Sequence, residues 1–345
     1  MKRVSIASFL LLLTQVLWAQ TLVNANYPSS FTVAQDGSGD FKTIQEAVNS
    51  FRDHSQERVT LHIRNGTYAE KLVIPANKPN IHLIGESREG VIITWDDYSG
   101  KPYSSGNDRT GKPVHSTYTS YTVLVEAPDI ILENLTIRNS AGRVGQAVAL
   151  NVQADRFVCR NCALIGNQDT LYAAAEGSRQ FYDHCLIEGT TDFIFGKSIS
   201  VFQSCTIKSL SNSYITAAAT PVYQPYGFVF FDCNLTADPE ATKVYLGRPW
   251  RPNSHTVFIR CQMGEHIVPA GWDNWGNPAN EKTAFYAEYR STGPGASPDQ
   301  RVPWSRQLTE KEVKKYTPES ILSMSRIIAA QADDWFKPGK PEVKK

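Results

Sequence analysis

The sequence is short of several things. It has no Gly-x-Ser-x-Gly turn, which excludes the strand–turn–helix site of the serine hydrolases. Its 7 histidines are scattered without a short ligand pair, so no zinc centre is indicated, and nothing else calls for a metal or cofactor. No Pro/Gly-rich or low-complexity linker interrupts residues 21–304, so the exported chain reads as one domain, residues 21–345. Charge of one sign is missing too: 35 Lys+Arg against 34 Asp+Glu give +1, and losing Lys2 and Arg3 takes this to −1. That balance offers no handle to nucleic acid or to an anionic membrane. No apolar run has the length of a membrane span. The longest, residues 4–17, follows Lys2 and Arg3 and precedes Trp18-Ala19-Gln20, the layout of a signal peptide over residues 1–20. The mature chain is therefore expected outside the cytoplasm, in a periplasm or beyond.

What is present is a repeat. Val158-x-x-x-Cys162, Phe181-x-x-x-Cys185, Val201-x-x-x-Cys205, Val229-x-x-x-Cys233 and Val257-x-x-x-Cys261 share one frame, and Ile130-x-x-x-Asn134 extends it upstream. The steps between the last residues of these units are 28, 23, 20, 28 and 28. Self-similarity at this period, in short runs rich in Val, Ile, Phe and Tyr, marks a solenoid of strands rather than helices. The chain thus reads as all-β, a parallel β-helix. One internal column should run Asn134, Cys162, Cys185, Cys205, Cys233, Cys261. A disulfide between coils about 4.8 Å apart is geometrically possible, but buried free thiols are the favoured reading.

The ends read as helical. Residues 41–48 have helical spacing after the turn Asp36-Gly37-Ser38-Gly39-Asp40 and suit a cap over the open first coil. Residues 307–345 suggest a helix from Leu308 to about Asp334 and a charged tail. Asn65, Asn134 and Asn234 each begin an Asn-x-Thr glycosylation pattern; the last two lie at or beside the buried column and read as structural.

The same frame places the polar residues. Asp169 lies seven residues after Cys162 and Asp192 seven after Cys185, so the two carboxylates should stack on adjacent coils. Two carboxylates that close cannot both ionise freely, which makes an acid and a base from one residue type. For a lone aspartate, a ladder satisfied by backbone amides is the plainer use; the pair in register argues otherwise. Gln146 precedes Asp169 by 23 residues and Gln168 adjoins it, placing amide donors for an oxyanion, although Asn and Gln ladders are also structural in solenoids. Arg248, between Gly247 and Pro249-Trp250, is set to hold Asp192 ionised; a surface salt bridge is the alternative. Of the aromatics, Trp250 and Trp272 are assigned to a cleft, and Phe193 and Phe195 are divided between core and cleft.

Five segments together carry a resemblance: Gly66-Thr67-Tyr68-Ala69-Glu70, Gln146-Ala147-Val148-Ala149-Leu150, Gln168-Asp169-Thr170-Leu171-Tyr172, Asp192-Phe193-Ile194-Phe195-Gly196 and Leu246-Gly247-Arg248-Pro249-Trp250. In order and spacing, over about residues 31–304, the chain resembles the pectin methylesterases. The resemblance implies a right-handed parallel β-helix and a secreted, monomeric carbohydrate esterase acting on methylesterified homogalacturonan. It also implies Asp192 as nucleophile, Asp169 as general acid/base, Arg248 as orienting group, Gln146 and Gln168 as oxyanion donors, and Tyr172, Phe195, Trp250 and Trp272 as substrate contacts. Residues 95–121 match less well and suggest a cleft wall, with Thr122 touching substrate. Competing readings are a β-helix polygalacturonase, since paired carboxylates also serve glycosidases, and a non-catalytic polysaccharide-binding β-helix. A pectate lyase would want a calcium-binding acidic cluster, which the sequence does not offer.

Overall fold

In the computed structural model, residues 27–108, 110–323 and 334–338 are described. The expected signal peptide and the tail beyond residue 338 lie outside them, as does residues 324–333 of the expected carboxy-terminal helix. No helix among the described residues is long and apolar enough to cross a membrane.

The chain winds through three parallel sheets of 11, 8 and 7 strands. Each complete coil gives one strand to each sheet. One coil runs Phe157–Arg160, Ala163–Ile165 and Leu171–Ala173; the next runs Arg179–Asp183, Leu186–Gly189 and Ile194–Gly196. The pairing Val158↔Phe181, Phe181↔Val201, Val201↔Val229 and Val229↔Val257 reproduces the repeat of the sequence.

Within each unit the residues alternate by face, as strands require. The residue after the anchor points inward: Tyr182, Phe202, Phe230 and Phe258 stack at 4.8, 4.4 and 4.4 Å between ring centres. The residue before the column turns the corner in the left-handed region: Asn134, Asn161, His184, Ser204, Asp232 and Arg260 have φ of 55, 45, 53, 53, 53 and 53°. The cysteines then fill the interior. All six are free and buried, and Cys185 Sγ, for example, donates to the Cys159 carbonyl at 3.3 Å.

The upstream end of the column differs from expectation. Val158 pairs with Ile131 and Ala163 with Thr136, so Cys162 stacks on Leu135, not on Asn134. Asn134 is the left-handed corner residue, a conformation that Asn tolerates, and accepts from Asn161 Nδ2 at 2.6 Å. Asn234 is exposed rather than buried beside the column.

The amino-terminal cap is the helix Ile44–Ser50. Thr43 and Glu46 form its capping box, and Ile44, Ala47 and Val48 are buried against the first coil. At the other end, among the described residues, the expected continuous helix is broken into Glu310–Val313 and Pro318–Leu322. Proline at 318 explains the break, because it disfavours helical geometry at Thr317 and has no N–H to donate. Leu308, Ile321, Leu322 and Phe336 cover the outward anchors Val158, Phe181, Val201, Val229 and Val257, apolar surface that would otherwise face water.

Between the strands Val91–Trp95 and Val123–Val125 the chain leaves the coil. Asp97, buried at its root, receives Lys71 Nζ at 2.6 Å and Lys101 Nζ at 3.1 Å, and the excursion returns through Thr117–Thr119.

Candidate active site

Asp169 and Asp192 precede the strands Leu171–Ala173 and Ile194–Gly196, which pair Leu171↔Ile194 and Tyr172↔Phe195. The aspartates therefore occupy equivalent places on adjacent coils. Both are left-handed, with φ of 67 and 49°, a geometry short polar side chains accept more readily than others. With Gln146, Gln168, Phe195, Ala217, Arg248, Trp250, Trp275, Thr117 and Tyr118 they line one cleft of about 420 Å³.

Arg248 comes from the strand Tyr245–Pro249 and pairs with Ala217, which pairs in turn with Phe195. The guanidinium thus lies two coils from Asp192 and reaches back to it, Nε donating to Oδ1 at 3.0 Å and Nη2 to Oδ2 at 2.8 Å. Glycine at 247 permits this strand to close on its neighbour: a Cβ there would meet Thr216 Oγ1 at 2.0 Å.

The two carboxyls differ in partners. Burial, then the charge of Asp192, pushes Asp169 up to about 8, against a smaller opposing pull from Arg248. Burial also raises Asp192, but there the bidentate guanidinium bonds directly and favours the ionised form. Arg248 thus sets the two carboxyls apart: it favours the charged form of Asp192 through two direct hydrogen bonds, while Asp169, without such a partner, is pushed up to about 8.

The glutamines sit side by side. Gln146 bridges to Gln168, one residue short of the Asp169 register expected from the spacing. The strands here pair at a shorter step than on the next coil, Leu150↔Leu171 against Leu171↔Ile194. A bulge, where Ala149 N and Leu150 N both donate to the Thr170 carbonyl at 2.9 and 3.1 Å, adds back one residue and sets Gln146 opposite Gln168. Both glutamines line the cleft beside the aspartates.

Tyr172 and Phe195 stack at 4.5 Å with 11° between planes, Trp250 meets Phe195 edge-on at 5.9 Å, and Tyr118 meets Tyr172 at 5.4 Å. These rings form an aromatic floor and wall. Phe193 belongs to the core at 0% exposure.

Two expected contacts do not reach the cleft. Trp272, 1% exposed, lies 4.3 Å from Tyr286 and 5.9 Å from Phe258 in the core, because its pairing with Gly247 turns it inward. Trp275, in the turn that follows, takes the cleft position instead. Thr122 is fully buried, its hydroxyl donating to the Arg138 carbonyl at 2.9 Å; Thr117 and Tyr118 stand at the wall. An aromatic in the Asp-Asn-Trp-Gly turn at 273–276 was a signal for Trp275, since turns lie at the surface. Among the described residues no three His, Cys, Asp or Glu side chains group to hold a metal.

The Pectinesterase family model matches residues 30–325. The chain is 38% identical to Pectinesterase 31 of Arabidopsis thaliana over 295 residues, 84% of this chain and 91% of that one. It is 37% identical to a probable pectinesterase/pectinesterase inhibitor, number 64, of the same plant, covering 91% of this chain but spanning only 54% of that relative's length. Among solved structures, pectin methylesterase from carrot superposes with a TM-score of 0.77 at 33% identity, covering 87% of this chain and 94% of the carrot one.

Proposed function

This chain belongs to the pectinesterase family and is a carboxylic ester hydrolase, and from that premise we propose that it removes methyl esters from pectin by a two-step aspartyl mechanism. The Asp192 carboxylate attacks the carbonyl carbon of a methylesterified galacturonate unit. Gln146 and Gln168 donate amide protons to the oxygen that becomes anionic. Protonated Asp169 passes its proton to the departing methanol, leaving an anhydride between substrate and Asp192. The Asp169 carboxylate then takes a proton from water, the hydroxide opens the anhydride, and the free acid leaves with Asp192 ionised again.

The observation that carries this reading is the bidentate Arg248–Asp192 pair beside an Asp169 held protonated to about pH 8. An inverting glycosidase needs its carboxyls roughly 6.5–9.5 Å apart to seat a water. Stacking on adjacent coils separates equivalent backbone positions by only about 4.8 Å, which favours direct attack. The aromatic floor of Tyr172, Phe195 and Trp250 takes sugar faces, and the site works without a metal or cofactor. The mature protein acts as an exported monomer, residues 1–20 being removed, and residues 21–345 form a single domain.

The test is incubation of the purified mature protein with highly methylesterified pectin, following methanol, new reducing ends and unsaturated ends together. Methanol alone is the expected product, and Asp192→Asn is expected to abolish it in a folded protein. Reducing or unsaturated ends without methanol would replace the esterase by a chain-cleaving enzyme, and binding without product would leave a polysaccharide-binding module.

A further inference from the structure

The guanidinium that orients Asp192 is itself clamped. Arg248 Cζ lies 3.9 Å from the centre of the Tyr214 ring and 3.7 Å from that of the Trp275 ring. Two ring centres so near one planar carbon take its opposite faces, while the edge of the group is spent on Asp192. Each ring is anchored separately. Tyr214 begins the strand Tyr214–Ala218 and stacks on Tyr245, its register partner, at 5.3 Å and 26°. Trp275 is left-handed, with φ of 60°, and its backbone N–H donates to Asp273 Oδ1 at 2.7 Å, which fixes the turn that carries the ring.

The proposed reaction gives this clamp a task. When Asp192 becomes the anhydride it loses its charge, and Asp169, having released its proton, gains one. A loosely held guanidinium would then turn toward Asp169 and lower its basicity just as it must deprotonate water. We propose that Tyr214 and Trp275 are positioning residues that keep Arg248 on Asp192 throughout the acyl-enzyme stage. Trp275 lines the cleft and also meets substrate; the Tyr214 side chain is not among those lining the cleft and acts through Arg248, while its backbone carbonyl, kept in any substitution, accepts from Asp192 N at 2.8 Å. This rests on Asp192 being the nucleophile.

The test is steady-state kinetics and pH profiles of Tyr214→Ala, Tyr214→Phe, Trp275→Ala and Trp275→Phe on methylesterified pectin, with Asp192→Asn as the control for the underlying reading. Tyr214→Ala should lower kcat roughly 3- to 30-fold, the worth of one partly desolvated cation–π contact, with KM within about twofold. Its acid limb of kcat/KM should move to higher pH, because Asp192 is faced by Arg248, Asp169 and Asp273, and a loosened Arg248 no longer offsets its burial and the neighbouring Asp273. Tyr214→Phe and Trp275→Phe should restore kcat and limb together. The clamp is overturned if Tyr214→Ala leaves kcat and the limb unchanged, or if Tyr214→Phe is as impaired as Tyr214→Ala. A rise in KM alone for Trp275→Ala makes that residue a substrate contact and removes it from the clamp, an outcome independent of whether Tyr214→Ala folds. Full activity of Asp192→Asn would instead sink the nucleophile assignment.

Discussion

Asp169 and Asp192 hold equivalent positions on successive coils, yet Arg248 commits both of its hydrogen bonds to Asp192. Identical side chains in identical backbone settings are thereby made chemically different by one residue from two coils away. In the proposed mechanism this asymmetry separates nucleophile from proton carrier, and its consequences can be measured.

Activity should fall as pH rises through about 8, the point to which burial and the neighbouring charge of Asp192 push Asp169. Above it Asp169 enters the first step without a proton for methanol. The pH profile of kcat/KM is the measurement, and Asp169→Asn should lose roughly 10²- to 10⁴-fold in kcat, the worth of positioned acid–base catalysis.

Asp169 should also cost stability. Its folded value of about 8 stands above the ordinary 3.8 of the unfolded chain. The folded state therefore keeps a proton that the unfolded state releases, and stability falls as pH climbs from about 4 to about 8. Asp169→Asn removes this linkage. Thermal melts should show the variant gaining on the parent at pH 8, by on the order of a few kcal/mol at most, with little difference near pH 4.

The excursion 95–121 should depend on Asp97. Burial raises its carboxyl, but Lys71, Lys101 and His115 together outweigh this and hold it below its usual value. Its contribution is present above the unfolded value and is lost as pH falls through the folded one. Asp97→Ala leaves the half-buried Lys71 with only the Thr119 carbonyl and the Tyr121 ring, a loss smaller than the ~3–5 kcal/mol of breaking a fully buried pair. Differential scanning calorimetry should register that loss. KM for pectin should rise because the wall bearing Thr117 and Tyr118 is no longer pinned.

The carboxy-terminal arm should be a stability element. Leu322 is 0% exposed over the outward valines, and its carbonyl accepts from buried Arg179 Nη1 at 2.9 Å. Leu322→Ala should cost about 2–5 kcal/mol in denaturant unfolding and leave kcat per folded molecule unchanged, since the arm covers a sheet that does not carry the cleft.

A solenoid is legible in sequence because each coil contacts mainly its neighbours, so one spacing recurs in chain and in space. That locality made the cysteine column and the Asp169–Asp192 stack readable from residue numbers. It failed where a coil changes length. The shorter step at Leu150↔Leu171, only partly made up by the bulge beside it, set Gln146 opposite Gln168, and the corner at Asn134 shifted the column to Leu135. The tryptophans failed for another reason: Trp272 sits in an isolated bridge to Gly247 and Trp275 in the turn after it, outside the repeating frame, where no period says which ring points outward.

The sequence alone therefore determined the repeating coil and the stacking of Asp169 on Asp192, because these follow from local β-pairing at a constant step. Tertiary structure decided which carboxyl keeps the proton and which aromatics meet the cleft. Those outcomes depend on Arg248, Tyr214 and Trp275 converging from different coils, and on how far each group is withdrawn from water.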